Sequence, residues 1–186
     1  MNPNIIVVGV NHKSAPIEIR EKLAFSMRKL NESLKNLDRH PLISENIILS
    51  TCNRVEIYAK VEDIENGVIS LKKFFADYHE IPMQELNQHF YTYINQETIE
   101  HLFSVSSSLD SMIVGEPQIL GQVKDAYVAA KDQKATGIIL SQLFERSFSV
   151  AKKVRSETAI AEKAVSISYA AVELAKKIFD DLKDKV

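Results

Sequence analysis

The sequence predicts an α+β fold in which a ferredoxin-like β-α-β-β-α-β subdomain is followed by a helical subdomain. Three observations lead to this prediction. Short apolar, β-branched runs alternate with amphipathic stretches up to about residue 95. Beyond that point the apolar residues recur only at helical spacings. The chain has 186 residues, of which 45% are hydrophobic, and this is enough to bury one core.

The first half of the chain supplies four predicted strands and the helices between them. Each strand is a short β-branched or aromatic run, and each helix has apolar residues at spacings of three and four. In order, the predicted elements are a strand over Ile5–Val10, a helix opened by Pro16, a helix capped by Ser26, strands over Ile47–Leu49 and Val55–Ala59, a helix around Val68–Phe75 and a strand over His89–Ile94.

The second half is predicted to be entirely helical. Its apolar positions indicate helices around Ile99–Phe103, from Pro117 to Ala130, over Leu140–Ala151 and over Ala164–Leu182. We therefore expect residues 1–158 to form one domain, α/β to about residue 95 and helical afterwards. Residues 159–186 are expected to form a linker helix.

The only cysteine lies in a polar break between two predicted strands. The segment from Ser50 to Arg54 places Cys52 among hydrogen-bonding side chains and one fixed cation. If the strand continued, its period of two would put Cys52 and Arg54 on one face. A nearby cation makes a thiol a better nucleophile, and Arg54 is placed to act in this way or to bind a substrate carboxylate. The competing interpretation is that Cys52 is a small buried hydrophobe.

Two further polar segments are candidates for a site. Ser106–Glu116 leads into the helix opened by Pro117, and helix N-termini favour anionic ligands, although the same residues are also ordinary helix-start signals. Gly121 inside that helix costs about 1 kcal/mol relative to alanine, which suggests close approach by another backbone or a ligand. The loop Asn11–Ser14 is expected to reach the same sheet edge as the Cys52 segment, although it is also explained as a plain polar loop.

Composition excludes several classes of function. The longest apolar stretches are too short to cross a bilayer, and the N-terminus lacks the basic flank of a signal peptide. A single cysteine and the absence of metal-ligand spacings predict no disulfide, no metal and a cytoplasmic location. The five glycines form neither a dinucleotide-binding turn nor a P-loop, so no nucleotide site is expected in this chain.

The charges and the histidines give weaker signals. Residues 1–116 carry 11 basic and 16 acidic side chains, so the predicted sheet is a poor surface for nucleic acid. The basic cluster at Lys152, Lys153 and Arg155 is most simply a solvated helix face. His101 lies roughly 200° around its predicted helix from Ile99, which suits an interfacial histidine. A role as general acid or base would require His101 to face Cys52.

Several long motifs in register resemble the glutamyl-tRNA reductase family. They are Gly9-Val10-Asn11-His12-Lys13-Ser14-Ala15-Pro16, Ser50-Thr51-Cys52-Asn53-Arg54-Val55-Glu56-Ile57-Tyr58, Leu109-Asp110-Ser111-Met112 and Gly115–Lys124. The segments Ser147–Lys152 and Ala164–Ser166 also match. The resemblance covers essentially the whole chain.

The resemblance implies the N-terminal catalytic domain of an enzyme that reduces glutamyl-tRNA to glutamate-1-semialdehyde with NADPH in tetrapyrrole biosynthesis. By motif position it makes Cys52 the nucleophile that forms a thioester, and it makes His101 a second catalytic residue. The substrate pocket that it implies consists of Thr51, Asn53, Arg54, Ser111, Glu116, Pro117, Gln118 and Gln122.

The same resemblance implies that NADPH is bound by a following domain and that a C-terminal domain forms a homodimer. The implied partners are glutamyl-tRNA and the downstream semialdehyde aminomutase, with no membrane. Two alternatives stay open. One is a Cys-His acyl hydrolase that uses Cys52 and His101, and the other is a non-enzymatic RNA-binding module, which would need exposed aromatic residues on the sheet and a stronger basic face.

Overall fold

The computed structural model describes residues 3–161 and contains a four-stranded antiparallel sheet. The strands are β1 (Asn4–Asn11), β2 (Ile43–Ser50), β3 (Arg54–Val61) and β4 (Tyr91–Ile94). Their order in the sheet is β2-β3-β1-β4. With helices after β1 and β3, this is the predicted ferredoxin-like β-α-β-β-α-β pattern, which is therefore confirmed. The helix predicted over Ala164–Leu182 lies outside the described residues.

Seven α-helices occur within residues 3–161. They are α1 (Ile17–Leu23), α2 (Met27–Asp38), α3 (Ile64–His79), α4 (Met83–Leu86), α5 (Gln96–Ser106), α6 (Gln118–Asp132) and α7 (Ile138–Glu157). The hydroxyl of Ser26 accepts a hydrogen bond from the amide of Lys29, so the predicted cap of α2 is confirmed. The short helix α4 was not predicted, because four residues give no readable period. The fourth strand begins at Tyr91 rather than His89, since Asn87–His89 form a 3₁₀ turn.

Helices from both halves of the chain cover the sheet. Residues 5–11 of β1 are all buried although successive side chains point to opposite faces, so both faces are covered. Helices α2 and α3 pack on the strands from the first half, and α6 and α7 pack on them from the second. Strands β1 to β3 carry no exposed aromatic side chain of the kind that the RNA-binding alternative requires, whereas the edge strand β4 carries the half-buried Tyr91 and Tyr93. None of the helices in that range is long and apolar enough to cross a membrane.

Candidate active site

Cys52 lies in the tight turn that joins β2 to β3. Strand β2 ends at Ser50, and β3 begins at Arg54. Thr51 holds this turn together. Its amide donates to the carbonyl of Arg54 at 2.8 Å. Its hydroxyl oxygen accepts from the amides of Asn53 and Arg54 at 3.2 and 3.1 Å. The turn is thus fixed by neutral hydrogen bonds that leave the thiol free.

The side chains of Cys52 and Arg54 do not share a strand face. The strand stops before Cys52, so the period-two argument does not apply and that expectation was wrong. Cys52 is exposed, which also removes the interpretation of it as a buried hydrophobe. Arg54 is the first residue of β3, and only 1% of its side chain is exposed. The thiol is therefore at the surface and the guanidinium lies beneath it in the protein interior.

A small cleft of about 30 Å³ opens beside the thiol and collects most of the predicted site residues. It is lined by Thr51, Cys52, Asn53, Arg54, Ser111, Glu116, Gln118, Ile119 and Gln122. All of these except Ile119 were predicted from the sequence. Pro117, the N-cap of α6, and His101 are not among the lining residues.

The cleft contains a hydroxyl group without a partner. Ser111 is 7% exposed, and its Oγ has no hydrogen bond among residues 3–161. Buried polar groups are nearly always satisfied, so an orphaned hydroxyl lining a cleft calls for a ligand or a bound water. The side-chain amides of Gln118 and Gln122 line the same cleft from the first turns of α6. Each amide supplies the cleft with hydrogen-bond donors and with an acceptor.

The loop after β1 meets the Cys52 turn, as expected for two loops at one sheet edge. The amide of His12 donates to the carbonyl of Asn53 at 3.0 Å. Asn11 shapes this loop, because its side-chain oxygen accepts from the amides of Lys13 and Ser14. Burial lowers the pKa of the His12 imidazole, and the charges of Arg54 and Lys13 lower it further. His12 is therefore neutral at physiological pH.

Arg20 of α1 also reaches the turn, and the sequence did not identify it. It is 9% exposed, and its Nη1 donates to the carbonyl of Cys52 at 2.5 Å and to the side-chain oxygen of Asn53 at 3.5 Å. Its Nε donates to the carbonyl of Ala15 at 3.3 Å. The only sequence signal was its position three residues before the buried Leu23 on the same helix face.

Beneath the turn, the fully buried carboxylate of Glu56 is the centre of a polar cluster. Its Oε1 accepts from Nη1 of Arg54 at 2.6 Å and from the hydroxyl of Tyr91 at 2.5 Å, and it lies 2.9 Å from Nε2 of His101. Its Oε2 accepts from the hydroxyl of Tyr58 at 2.7 Å. We call these five residues the Glu56 cluster.

The charges of the Glu56 cluster reinforce one another. Burial alone would raise the pKa of Glu56, but Arg54 and His101 outweigh it and hold that pKa well below its usual value. Burial alone would lower the pKa of Arg54, and the Glu56 carboxylate reverses this and raises it. Burial and the same carboxylate raise the pKa of Tyr58 and Tyr91. At neutral pH Glu56 is thus an anion that accepts from neutral tyrosine hydroxyls.

Gly9 makes the cluster possible. It is paired with Glu56 on β3 and with Tyr91 on β4. A Cβ atom at Gly9 would lie 2.7 Å from Cγ of Glu56 and 2.7 Å from the carbonyl oxygen of Val55. A larger residue would therefore push the carboxylate away from its partners.

His101 belongs to the buried face of α5, not beside its apolar stripe. The buried residues of that helix are Thr98, His101, Leu102, Val105 and Ser106. The imidazole packs against the rings of Tyr91 and Tyr93, with centroid distances of 5.5 and 4.7 Å. It lines a separate cavity of about 630 Å³, together with Lys13 and Asp110. The link from His101 to the Cys52 cleft runs through Glu56 and Arg54.

Asp110 lines the larger cavity and bonds to Arg54, which lines the Cys52 cleft. Its backbone carbonyl accepts from Nη2 of Arg54, and its carboxylate accepts from the same nitrogen at 3.1 Å and from Lys13. Burial would raise the pKa of Asp110, but the bonds and charges of Lys13 and Arg54 lower it. The segment that carries Asp110 is tied to α7, because Nη2 of Arg155 donates to Ser108 and to the carbonyl of Glu116.

Within residues 3–161, no other part of the chain approaches Gly121 closely. Apart from its own helix backbone and its two chain neighbours, no atom of those residues lies within 4 Å of the position of a Cβ at Gly121, so close approach by another backbone is not seen in that range. The next residue, Gln122, lines the cleft. Within residues 3–161 no group of three potential ligand side chains could hold a metal ion.

Comparison with known proteins identifies the family. The model of the family described as "Glutamyl-tRNAGlu reductase, N-terminal domain" matches residues 8–158. The chain belongs to this family. A curated glutamyl-tRNA reductase from Geotalea daltonii is 56% identical over 182 residues, and that of Geobacter sulfurreducens is 52% identical over the same length. Each alignment covers 98% of this chain and 42% of the relative.

A solved structure agrees with the family assignment. The glutamyl-tRNA reductase from Methanopyrus kandleri has a TM-score of 0.75 and 35% identity to this chain. The match covers 93% of this chain and 39% of that protein. The chain therefore spans about 42% of the length of the curated glutamyl-tRNA reductases that it matches.

Proposed function

We propose that this chain is the catalytic domain of a glutamyl-tRNA reductase and that the thiol of Cys52 attacks the aminoacyl ester of glutamyl-tRNA. The observation that carries the proposal is the convergence of seven predicted substrate-pocket residues on one cleft with the exposed thiol of Cys52. Attack forms a carbon–sulfur bond and breaks the ester bond. The 3′-terminal hydroxyl of the tRNA leaves, and the glutamyl group remains as a thioester.

The neutral polar groups that line part of the cleft suit the aminoacyl group. The orphaned hydroxyl of Ser111 and the amides of Gln118 and Gln122 offer donors for the acyl carbonyl and acceptors for the α-ammonium group. A site built from such groups discriminates strongly, because a poorly matched substrate leaves buried polar groups unpaired. These residues are proposed to orient the ester for attack.

Arg54 is proposed to act on the substrate through competition with Asp110. Its Nη1 is bonded to Glu56 and its Nη2 to Asp110, so a glutamyl side-chain carboxylate that takes the place of Asp110 would bind at Nη2. A carboxylate replaces a carboxylate in this exchange, and the buried charge stays balanced. Glutaminyl-tRNA would leave Arg54 with a neutral amide in place of Asp110 and would be rejected.

We propose that His101 acts indirectly, through Glu56, which holds the guanidinium of Arg54 at the cleft. A direct Cys52–His101 pair of the hydrolase type has no support in the geometry, because the imidazole bonds to Glu56 and lines a different cavity. The Glu56 carboxylate fixes the orientation of the ring, and Tyr91 and Tyr93 pack against it.

Reduction of the thioester is proposed for the whole protein, with NADPH held outside this chain. The described residues do not fit a dinucleotide. Gly9 lies within β1 and Gly121 within α6, so neither belongs to the glycine turn between a strand and a helix that binds a pyrophosphate. A cytoplasmic location, homodimerisation and association with the semialdehyde aminomutase are likewise proposed for the whole protein.

The test is to incubate the chain with glutamyl-tRNA and NADPH and to follow both deacylated tRNA and NADPH absorbance. We expect slow release of tRNA without consumption of NADPH, because the thioester can only react with water or an added thiol. Oxidation of NADPH with semialdehyde formation would reveal a cofactor site in this chain. Absence of deacylation would contradict the proposal that this domain is sufficient for acyl transfer.

A further inference from the structure

We infer that Arg20 is a positioning residue that holds the Cys52 turn in the geometry for acyl transfer. The inference rests on the proposed function of Cys52. The bond from Nη1 of Arg20 to the Cys52 carbonyl, at 2.5 Å, is the only hydrogen bond to Cys52 among the described residues. Every other bond within the turn involves Thr51, which fixes the residues on either side of Cys52.

Arg20 joins three segments of the chain. It belongs to α1, its Nε donates to Ala15 in the loop after β1, and its Nη1 donates to the Cys52 turn. The side chain is almost fully buried between them, so its guanidinium has little freedom to move. A planar guanidinium with a fixed donor pattern holds two carbonyls at a set distance and angle. Arg20 thereby fixes the position of the Cys52 peptide relative to α1.

The charge of Arg20 is not neutralised locally. Among residues 3–161 no carboxylate lies within ion-pair distance of Arg20, and all of its acceptors are neutral oxygens. A buried cation without a counter-ion is costly, whereas a hydrophobic residue could have filled the same space. The guanidinium therefore adds positive potential at the turn, where it favours the thiolate form of the nucleophile and the negative charge that develops on the acyl oxygen during attack.

The contrast with Arg54 separates the two arginines by function. Arg54 is held by the carboxylates of Glu56 and Asp110, so its charge is balanced within the protein. Arg20 is held only by backbone and amide oxygens of the loops that it positions. Loss of Arg54 disturbs a buried ion-pair network, whereas loss of Arg20 breaks no ion pair among residues 3–161 and releases the loop after β1 and the turn that carries the thiol.

The experiment compares Arg20→Met with Lys22→Met, which removes the same charge from an exposed position of the same helix. Single-turnover deacylation of glutamyl-tRNA is measured over a range of chain concentrations. We expect Arg20→Met to lower the maximal rate by about 10- to 100-fold, without changing the half-saturating concentration, because the thiol is misplaced rather than the substrate lost. Arg20→Lys should recover part of that rate, and Lys22→Met should match the unmodified chain.

An unchanged maximal rate in Arg20→Met would overturn the inference. Should that variant fail to fold, Arg20→Gln, which keeps an amide donor, replaces it under the same criterion.

The alkylation rate of Cys52 by iodoacetamide provides a second arm that needs no substrate. If the unmodified chain does not deacylate glutamyl-tRNA, the proposed function fails, and the effect of Arg20→Met on alkylation still decides the role of Arg20. We expect alkylation to be slower in Arg20→Met than in the unmodified chain and unchanged in Lys22→Met. Equal alkylation rates in Arg20→Met and Lys22→Met would contradict the inference.

Discussion

The Cys52 turn and the Glu56 cluster are neighbours with opposite physical character. The turn is exposed and is held by hydrogen bonds between neutral groups and from Arg20. The cluster is buried and is held by charges, with a carboxylate bonded to a guanidinium, an imidazole and two tyrosine hydroxyls. Arg54 connects the two, since it begins β3 at the end of the turn and bonds to Glu56.

The difference teaches how one sheet edge combines reactivity with rigidity. The thiol contributes little to stability, because it has few neighbours and no fixed partner. The cluster contributes to stability and fixes the guanidinium under the cleft, because each of its charges would be costly without the others. Substitutions in the turn should therefore affect activity with little effect on stability, and substitutions in the cluster should affect stability first.

The largest expected effect is on the activity of Cys52→Ser. Loss of the nucleophile should reduce deacylation of glutamyl-tRNA on the order of 10³-fold or more. The free energy of unfolding should change by no more than about 0.5 kcal/mol, because the side chain is exposed. Deacylation kinetics and urea unfolding of the same preparation measure both. A large loss of stability would show that the turn is structurally coupled to the core.

The next largest effect is the destabilisation caused by Glu56→Gln. The amide keeps the shape of the side chain but leaves Arg54 without its buried counter-ion, which should cost about 3 kcal/mol or more in the free energy of unfolding. Glu97→Gln is the matched control, since Glu97 is exposed on α5. Urea unfolding at pH 7 provides the measurement. Equal stabilities of the two variants would contradict the account of the cluster.

Arg54→Lys should have a smaller effect on stability, of about 1–3 kcal/mol, because the charge is retained but one ammonium cannot bond to Glu56 and Asp110 in the same way. The variant should also discriminate less between glutamyl- and glutaminyl-tRNA. Competition between the two substrates in the deacylation assay measures this. Unchanged discrimination would count against a role for Arg54 in side-chain recognition.

The smallest effect is a pH dependence that isolates Glu56. Its pKa is lower in the folded protein than the usual value of about 4.3, so the stabilisation that it provides is complete above that pH. It is lost as the pH falls from there toward the folded pKa. Asp110 shifts in the same direction. Urea midpoints below pH 5 should therefore fall more steeply in the unmodified chain than in Glu56→Gln, and parallel curves would show that Glu56 is not the group responsible.

The sequence predicted the turn better than the cluster for a physical reason. Ser50 to Arg54 is a polar run between apolar strands, and such a break is visible in the sequence as a local change of character. The partners of Glu56 come from β3, β4 and α5, and only the strand register and the packing of α5 bring them together. Glu56 itself lies in a largely apolar strand, and nothing in the local sequence indicates that its carboxylate is buried.

Arg20 and His101 show that contacts made by residues on helices are equally hard to predict from local sequence. The apolar stripe of α5 was placed on Ile99, Leu102 and Phe103. Leu102 is fully buried, but Ile99 and Phe103 are only half-buried, because hydrophobicity alone cannot recognise a helix face that is partly buried by polar contacts. Apart from its spacing of three residues from Leu23, Arg20 has no pattern that separates it from Lys22 two positions later. Its role depends on the loop conformation that brings the carbonyl of Cys52 within 2.5 Å, and sequence spacing carries no information about that distance.

The most direct test of the central claim is a mass spectrum of the chain after brief exposure to glutamyl-tRNA, with peptide mapping of the product. The chain should gain one glutamyl group on the peptide that contains Cys52, and added hydroxylamine should remove it, as expected for a thioester. Cys52→Ser should show no adduct. A glutamyl group on any other residue, or an adduct that persists in Cys52→Ser, would contradict the assignment of Cys52 as the nucleophile.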